Sequence, residues 1–490
     1  MWRLKSIDAI LATADGRPLH RSLGPLQLML LGIGSVIGTG IFVLTADAAQ
    51  LAGPGMMAAF VLAGAVCAAA ALCYAEIASM VPVSGSAYTY TYAVMGEVFA
   101  WLVGWALILE YAVSASAVAV GWSGYLTGLL ASVGVHLPAA LIQSPSSGGL
   151  IDLPAVTISL LCTVLLVRGT HESATVNAVL VAIKIVALLM FTALAATAFH
   201  GGNFHPFAPA GARGVVNAAS SIFFAYIGFD AVSTAAEETR HPQRNVPIGL
   251  LGSLAVCTLI YLAVAGTAVG AIGAQPVHGL GGQMLSPGSR ALADRCAALA
   301  AGGPMPLVCS KEALAYALRQ IGHPLPAGIM GLVAFIALPT VIITMIFGQT
   351  RIFFVMARDG LLPQALCKIH GRYRTPHVVT WVTGAIITLG AAFFPVGQLA
   401  DVSNSGTLFA FLLVAVGVLV LRRKEPDRPR HFRTPLVWVV APLAIVGCVV
   451  LFCFLPVAAK WVFPLWSLSG LVFYGLYGVR HSRMRPGAAD

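Results

Sequence analysis

The sequence predicts an all-α, multi-pass membrane protein of twelve transmembrane helices. Composition is the first reason: 58% of the 490 residues are apolar and 9% charged, against roughly 25% charged in a soluble domain. Twelve apolar runs, each near the roughly 20 residues a bilayer-crossing helix needs, are the second. The third is that basic residues fall in the connections between those runs and not along one face.

Taken in order, the first six spans are 26–48, 56–80, 98–129, 151–168, 175–199 and 215–236. The second six are 246–272, 327–354, 376–394, 400–421, 434–456 and 461–479. Segment 84–95, SGSAYTYTYAVM, is too short and polar to cross and reads as interfacial or re-entrant. Residues 1–25 carry Arg3, Lys5, Arg17 and Arg21. The first span therefore reads as insertion signal and part of the fold, with no cleavable leader.

Twelve crossings place both ends of the chain on one side. With that side cytoplasmic, 21 of the 28 lysines and arginines lie inside and six outside, Lys184 being within the membrane. The positive-inside rule selects this orientation. It also accounts for the net charge of +10 without a nucleic-acid partner. Cys67, Cys73, Cys162, Cys257, Cys448 and Cys453 lie in apolar runs, where cysteine acts as a small hydrophobe. No Cys/His cluster has metal-ligand spacing, and no HExxH or GxSxG context points to a catalytic centre.

The first span holds four glycines in GIGSVIGTG, Gly32 to Gly40, each costing a helix about 1 kcal/mol relative to alanine. The sixth reads FFAYIGFDA, with Gly228 and Asp230 inside an apolar run. Each interruption opens a set of five spans, and an odd number per set inverts the second set relative to the first. Matched interrupted helices point to a transporter's central site, because broken half-helices free N–H groups for a carboxylate and C=O groups for an ammonium. The alternative is close helix packing through small residues.

Lys184 sits about eight residues into the fifth span, about 12 Å deep at 1.5 Å per residue. An ammonium there costs about 2.5–3.5 kcal/mol unless it faces protein or water, so Lys184 is a candidate proton-coupling group. A snorkelling or statically bridged lysine is the alternative. Glu110, similarly deep in the third span, is a candidate to neutralise Lys184, to line the pocket, or to hydrogen-bond as a protonated acid. Asp230 is a candidate cap for the second half of the sixth span. Glu237 and Glu238 stand near Arg240 and Arg351 as a candidate inner gate, with solvated acids the alternative.

GIGSVIGTGIF, EIASMVPVSGSAYTY, GEVFAWLVGWALILEY, FFAYIGFDAVSTAAEETRHPQRNVPIGL and GQTRIFFVMARDGLLP resemble the cationic amino acid transporter family of the amino acid–polyamine–organocation superfamily. The resemblance implies a LeuT-like core of two inverted five-helix repeats, 25–199 and 215–424, with two peripheral helices at 433–480. Residues 1–24 and 481–490 would be cytoplasmic tails and 273–326 an outer loop. It also implies a secondary carrier of L-amino acids in the cell (inner) membrane, not an enzyme, working by proton symport with alternating access and without a cofactor. The substrate carboxylate would meet Thr39 and Gly40, beside Gly38. The amine would meet carbonyls of Val36, Phe224 and Ile227, with Ala225 between them and Phe224 as a gate. Lys184 matches a lysine that occupies the sodium position of sodium-coupled relatives, which makes sodium unsuited as coupling ion. Pro339 departs from the pattern and is expected to distort the eighth span. Exchange, and cationic substrates, remain alternatives within the family.

Cys296 and Cys309 are the only cysteines expected on the outer side. An oxidising compartment there predicts a disulfide, stapling a stretch rich in Gly, Ala and Pro.

Overall fold

The first span does not run as one helix. Pro25–Val36 stops where Ile37 turns extended (φ −73°, ψ 92°), and the chain resumes as Thr39–Phe42 and Leu44–Ala52. The sixth span breaks too. Gly211–Ile222 tightens into a 3-10 turn at Phe223–Tyr226, Ile227 is extended, Gly228 takes φ +108°, and one helical turn follows at Ala231–Thr234. This computed structural model describes residues 4, 5, 7, 8, 10, 23–83, 85–169, 174–302, 305–373 and 375–484. Most of the two expected tails, and Arg3, Arg17 and Arg21, lie outside the described residues.

Among the described residues nine helices are long and apolar enough to cross a membrane, one of them joining the end of the first span to the second. Three shorter apolar helices, Pro25–Val36, Leu153–Arg168 and His377–Phe393, occupy the first, fourth and ninth spans. All twelve predicted spans are thus helical. The eighth stays continuous through Pro339, from Pro324 to Arg358, so the expected distortion does not break it.

Residues 85–95 are largely covered by protein. Ser86–Val94 forms a helix packed on the third and tenth spans, and Tyr88, Tyr90 and Tyr92 are buried. Their rings pack edge-on, Tyr74 against Tyr90 and Tyr88 against Tyr92.

Contacts between connections sort the bundle into two ends. At one, Leu23 bonds Glu238 and Arg240, Lys5 pairs with Asp359, and Thr375 donates to the Val167 carbonyl. At the other, Gln50 bonds Val277 and Leu285, Gln275 reaches His205, and Lys311 donates to Ile142. Successive helices therefore run from one end to the other.

The outer surface is apolar: Leu161, Val186, Leu259, Ile336, Leu389, Val446 and Leu468 are exposed, as suits a lipid solvent. The interior holds polar groups, Lys184, Glu110 and Asp230 among them. Loop 273–326 is more ordered than its composition predicts. Arg290–Ala300 and Ala313–Gln320 are helical, and Cys296 and Cys309 form a disulfide with Cα atoms 5.5 Å apart. Arg319 pairs with Glu312, whose carboxyl is raised by burial while Arg319 pulls it down.

Candidate functional site

The two breaks face each other. A Cβ on Gly40 would lie 2.3 Å from the Ala225 Cα, and one on Gly228 would lie 2.9 Å from the Ser35 carbonyl oxygen. Both glycines are needed for that approach, and at Gly228 the left-handed backbone requires glycine as well. Packing and site are therefore not rival explanations of the glycines, since the close approach brings the broken backbones together.

The broken ends supply unmatched groups. Among the described residues the amides of Gly38, Thr39 and Gly40 donate to no backbone carbonyl, and the Thr39 hydroxyl, fully buried, has no partner. Across the gap, the carbonyls of Ala225, Tyr226 and Ile227 accept no backbone amide, whereas Phe224 accepts from the Ile227 amide at 3.2 Å. Val36 already accepts from the Tyr261 hydroxyl at 2.9 Å, using one of its carbonyl's two lone pairs. Phe224 is 6% exposed, a side chain closed in at the break. Free donors on one side and free acceptors on the other form an arrangement able to bind a zwitterion.

Lys184 is fully buried, and its Nζ donates to the carbonyls of Gly34 and Ile37, each at 3.0 Å. These carbonyls belong to the last turn of Pro25–Val36 and its C-cap, where the helix dipole favours a cation. The lysine neither snorkels nor reaches Glu110, whose carboxylate oxygens meet no partner at hydrogen-bond distance among the described residues. Glu110 lies instead against the tenth span at Gly406, with Thr407 and Asp230 as polar neighbours.

Asp230 does not cap the turn that follows it. Its side chain makes no capping bond and accepts from the Tyr111 hydroxyl at 3.3 Å. At the end of the bundle where Leu23 lies, Arg351 bonds Glu238 at 2.9 Å and the Thr234 carbonyl at 3.1 Å. Its guanidinium lies 4.1 Å from the Phe347 ring centroid. Glu237 and Arg240 occupy the same connection, Arg240 through its amide to Leu23.

Several residues at the site were missed by sequence reasoning. Asn404 donates to the Ser220 and Ser221 carbonyls at 2.8 and 3.1 Å, and Asp401 accepts from the Ser221 hydroxyl. Both hold the sixth span just ahead of its break. The signal was available, as DVSNSG at 401–406 is a polar run inside an apolar span. Tyr261 gave none, since an aromatic residue in an apolar run reads as core.

Comparison with known proteins agrees with this architecture. The family profile described as amino acid permease matches residues 23–474. The chain is 44% identical to the branched-chain amino acid permease BcaP of Bacillus subtilis (strain 168) over 99% of both chains. It is 40% identical to the methylthioribose transporter of the same organism over 98% of both. With the vacuolar cationic amino acid transporter 4 of Arabidopsis thaliana identity is 33%, over 87% of this chain and 67% of that one. These relatives are permeases and transporters, not enzymes, and the chain belongs to the amino acid permease family of the amino acid–polyamine–organocation superfamily.

Proposed function

We propose that this permease carries neutral L-amino acids, branched-chain ones foremost, across the cell (inner) membrane by proton symport with alternating access. In this reading residues 25–424 form the ten-helix inverted-repeat core, 433–480 are peripheral, and both ends of the chain face the cytoplasm. The substrate carboxylate takes the free amides at Gly38–Gly40 and the Thr39 hydroxyl, and its ammonium takes the carbonyls of the sixth-span break. No charged side chain is needed for either end, which suits a neutral substrate. The similarity to a branched-chain permease supports the size class.

The observation that carries the coupling is the Lys184 ammonium on the Gly34 and Ile37 carbonyls. Protonated, Lys184 holds the first half-helix by two charge-assisted bonds, each about 1.5–3 kcal/mol. Neutral, it keeps at most weaker ones, so proton loss releases the helix that bears the substrate amides. A bound sodium would compete with the ammonium for those carbonyls, so the proton serves as coupling ion. No cofactor takes part.

Uptake of labelled leucine into proteoliposomes under an imposed pH gradient tests both parts. Wild type should accumulate leucine without sodium. Lys184→Ala should lose accumulation at least tenfold while exchanging internal for external leucine. Normal gradient-driven accumulation by that variant would overturn the coupling role. Stronger competition by arginine or methylthioribose than by isoleucine or valine would overturn the substrate class.

A further inference from the structure

On the loop 273–326 side of the first-span break lies a cavity of about 330 Å³. Val43 and Asp47 of the first span, Gly121 of the third and Gly397 of the tenth form its walls, and the disulfide-bonded pair Cys296 and Cys309 lines it as well. It adjoins the central site. A Cβ on Gly121 would lie 2.5 Å from Thr39 Cγ2, and Val43, four residues past Thr39, lines the cavity. Tyr125 donates to the Phe42 carbonyl at 2.9 Å, with the two rings edge-on at 5.9 Å. That contact lies beside the cavity and next to the break.

Three charged side chains line this space, and they differ in their partners. Asp152 is committed: it accepts from the Ser123 hydroxyl at 2.6 Å and from the Ala155 amide at 3.1 Å, capping the fourth span. Lys311 donates to the Ile142 carbonyl at 3.2 Å, which occupies one of its three N–H groups. Asp47 makes no hydrogen bond or ion pair among the described residues. Its Oδ2 would lie 2.6 Å from a Cβ on Gly397, in the first turn of Val396–Lys424. No amide of that turn donates to it, so Asp47 is not the cap of that helix.

Asp47 is half-buried and lines the cavity, so a cationic group entering that space meets a carboxylate with no competing partner among the described residues. The cavity offers one unsatisfied anion and one ammonium with donors to spare, between walls that include Leu292 and Val308. An α-amino acid presents an ammonium, a carboxylate and, in the neutral class, an apolar side chain. We propose that this cavity is an outer subsite for one zwitterionic amino acid, with the α-ammonium on Asp47 and the carboxylate on Lys311. Asp152 lines the same space as Lys311. The loop absent from the motif blocks then has a role, since its disulfide-stapled helix lines the subsite and closes it on that side. The inference rests on the reading of the chain as an amino acid carrier with this loop facing outward.

The test is sidedness. Leucine uptake is measured in proteoliposomes of right-side-out and inside-out orientation for wild type, Asp47→Asn and Lys311→Met. Both variants should raise KM for leucine offered from the loop side about tenfold and leave KM from the other side within twofold. Asp47→Glu should restore much of the loss. An unchanged KM from the loop side, or equal rises from both sides, would overturn the subsite. Should Asp47→Asn fail to fold, Lys311→Met reaches the same cavity from the loop and decides alone. Wild type that does not transport leucine would instead sink the carrier reading, a separate outcome.

Discussion

Gly40 shows how one missing methyl group can serve packing and binding at once. The space a side chain would take is filled by the Ala225 backbone, 2.3 Å from the ideal Cβ position. Backbone cannot rotate out of the way as a long side chain can. Gly40→Val should therefore push the first and sixth spans apart, costing about 1–3 kcal/mol by overpacking, and should weaken leucine binding at least tenfold. Thermal unfolding with and without leucine checks this, since a variant that kept both melting temperature and affinity would show that the spans do not rely on contact there. Lys184 and Glu110 differ instructively. Both stood out as ionisable groups deep in apolar runs, yet only Lys184 lies where a helix break offers it carbonyls.

Among the elements, the broken spans were legible because glycine clustering and an acid in an apolar run are local features. The pairing of Ser86–Val94 with the third and tenth spans was not legible, because its tyrosines read as interfacial until their buried neighbours are known. The coupling of the tenth span to the sixth escaped notice for a related reason. Asn404 bonds carbonyls 183 and 184 residues away in sequence, a relation no window along the chain contains. In the connection after the sixth span, Arg351 meets Glu238. The two side chains are 26% and 34% exposed, so the pair contributes only about 0–1 kcal/mol to stability. Its effect belongs in local opening. Glu238→Gln and Arg351→Gln should raise amide hydrogen exchange over 232–239 severalfold with the melting temperature nearly unchanged. Wild-type exchange in both variants would remove the pair from any part in holding that end shut.

For the whole molecule, the eleventh and twelfth spans must be joined to the ten that precede them. Glu76 makes part of that joint. Fully buried on the second span, it takes two bonds from Arg422 at 2.7 and 2.9 Å, one from Arg430 at 3.1 Å and one from the Thr434 amide at 2.7 Å. Those partners lie at the end of the tenth span and in the connection to the eleventh. Removing one side of a buried ion pair costs about 3–5 kcal/mol, so Glu76→Ala should lower the melting temperature sharply; a loss of a degree or less would show the joint to be idle. The Cys296–Cys309 bond carries a different consequence, one of timing during biogenesis. Its cysteines are 13 residues apart, a loop closure worth about 3 kcal/mol by chain entropy, and with the loop facing outward, as proposed, oxidants act on it only after its translocation. The bond thus dates the moment when the seventh span has been threaded. In a pulse–chase with an impermeant thiol reagent, newly made chains should pass from unreactive to briefly reactive to permanently protected. Chains halted before insertion should stay reduced, and a cell lacking periplasmic or secretory oxidants should accumulate the reactive form.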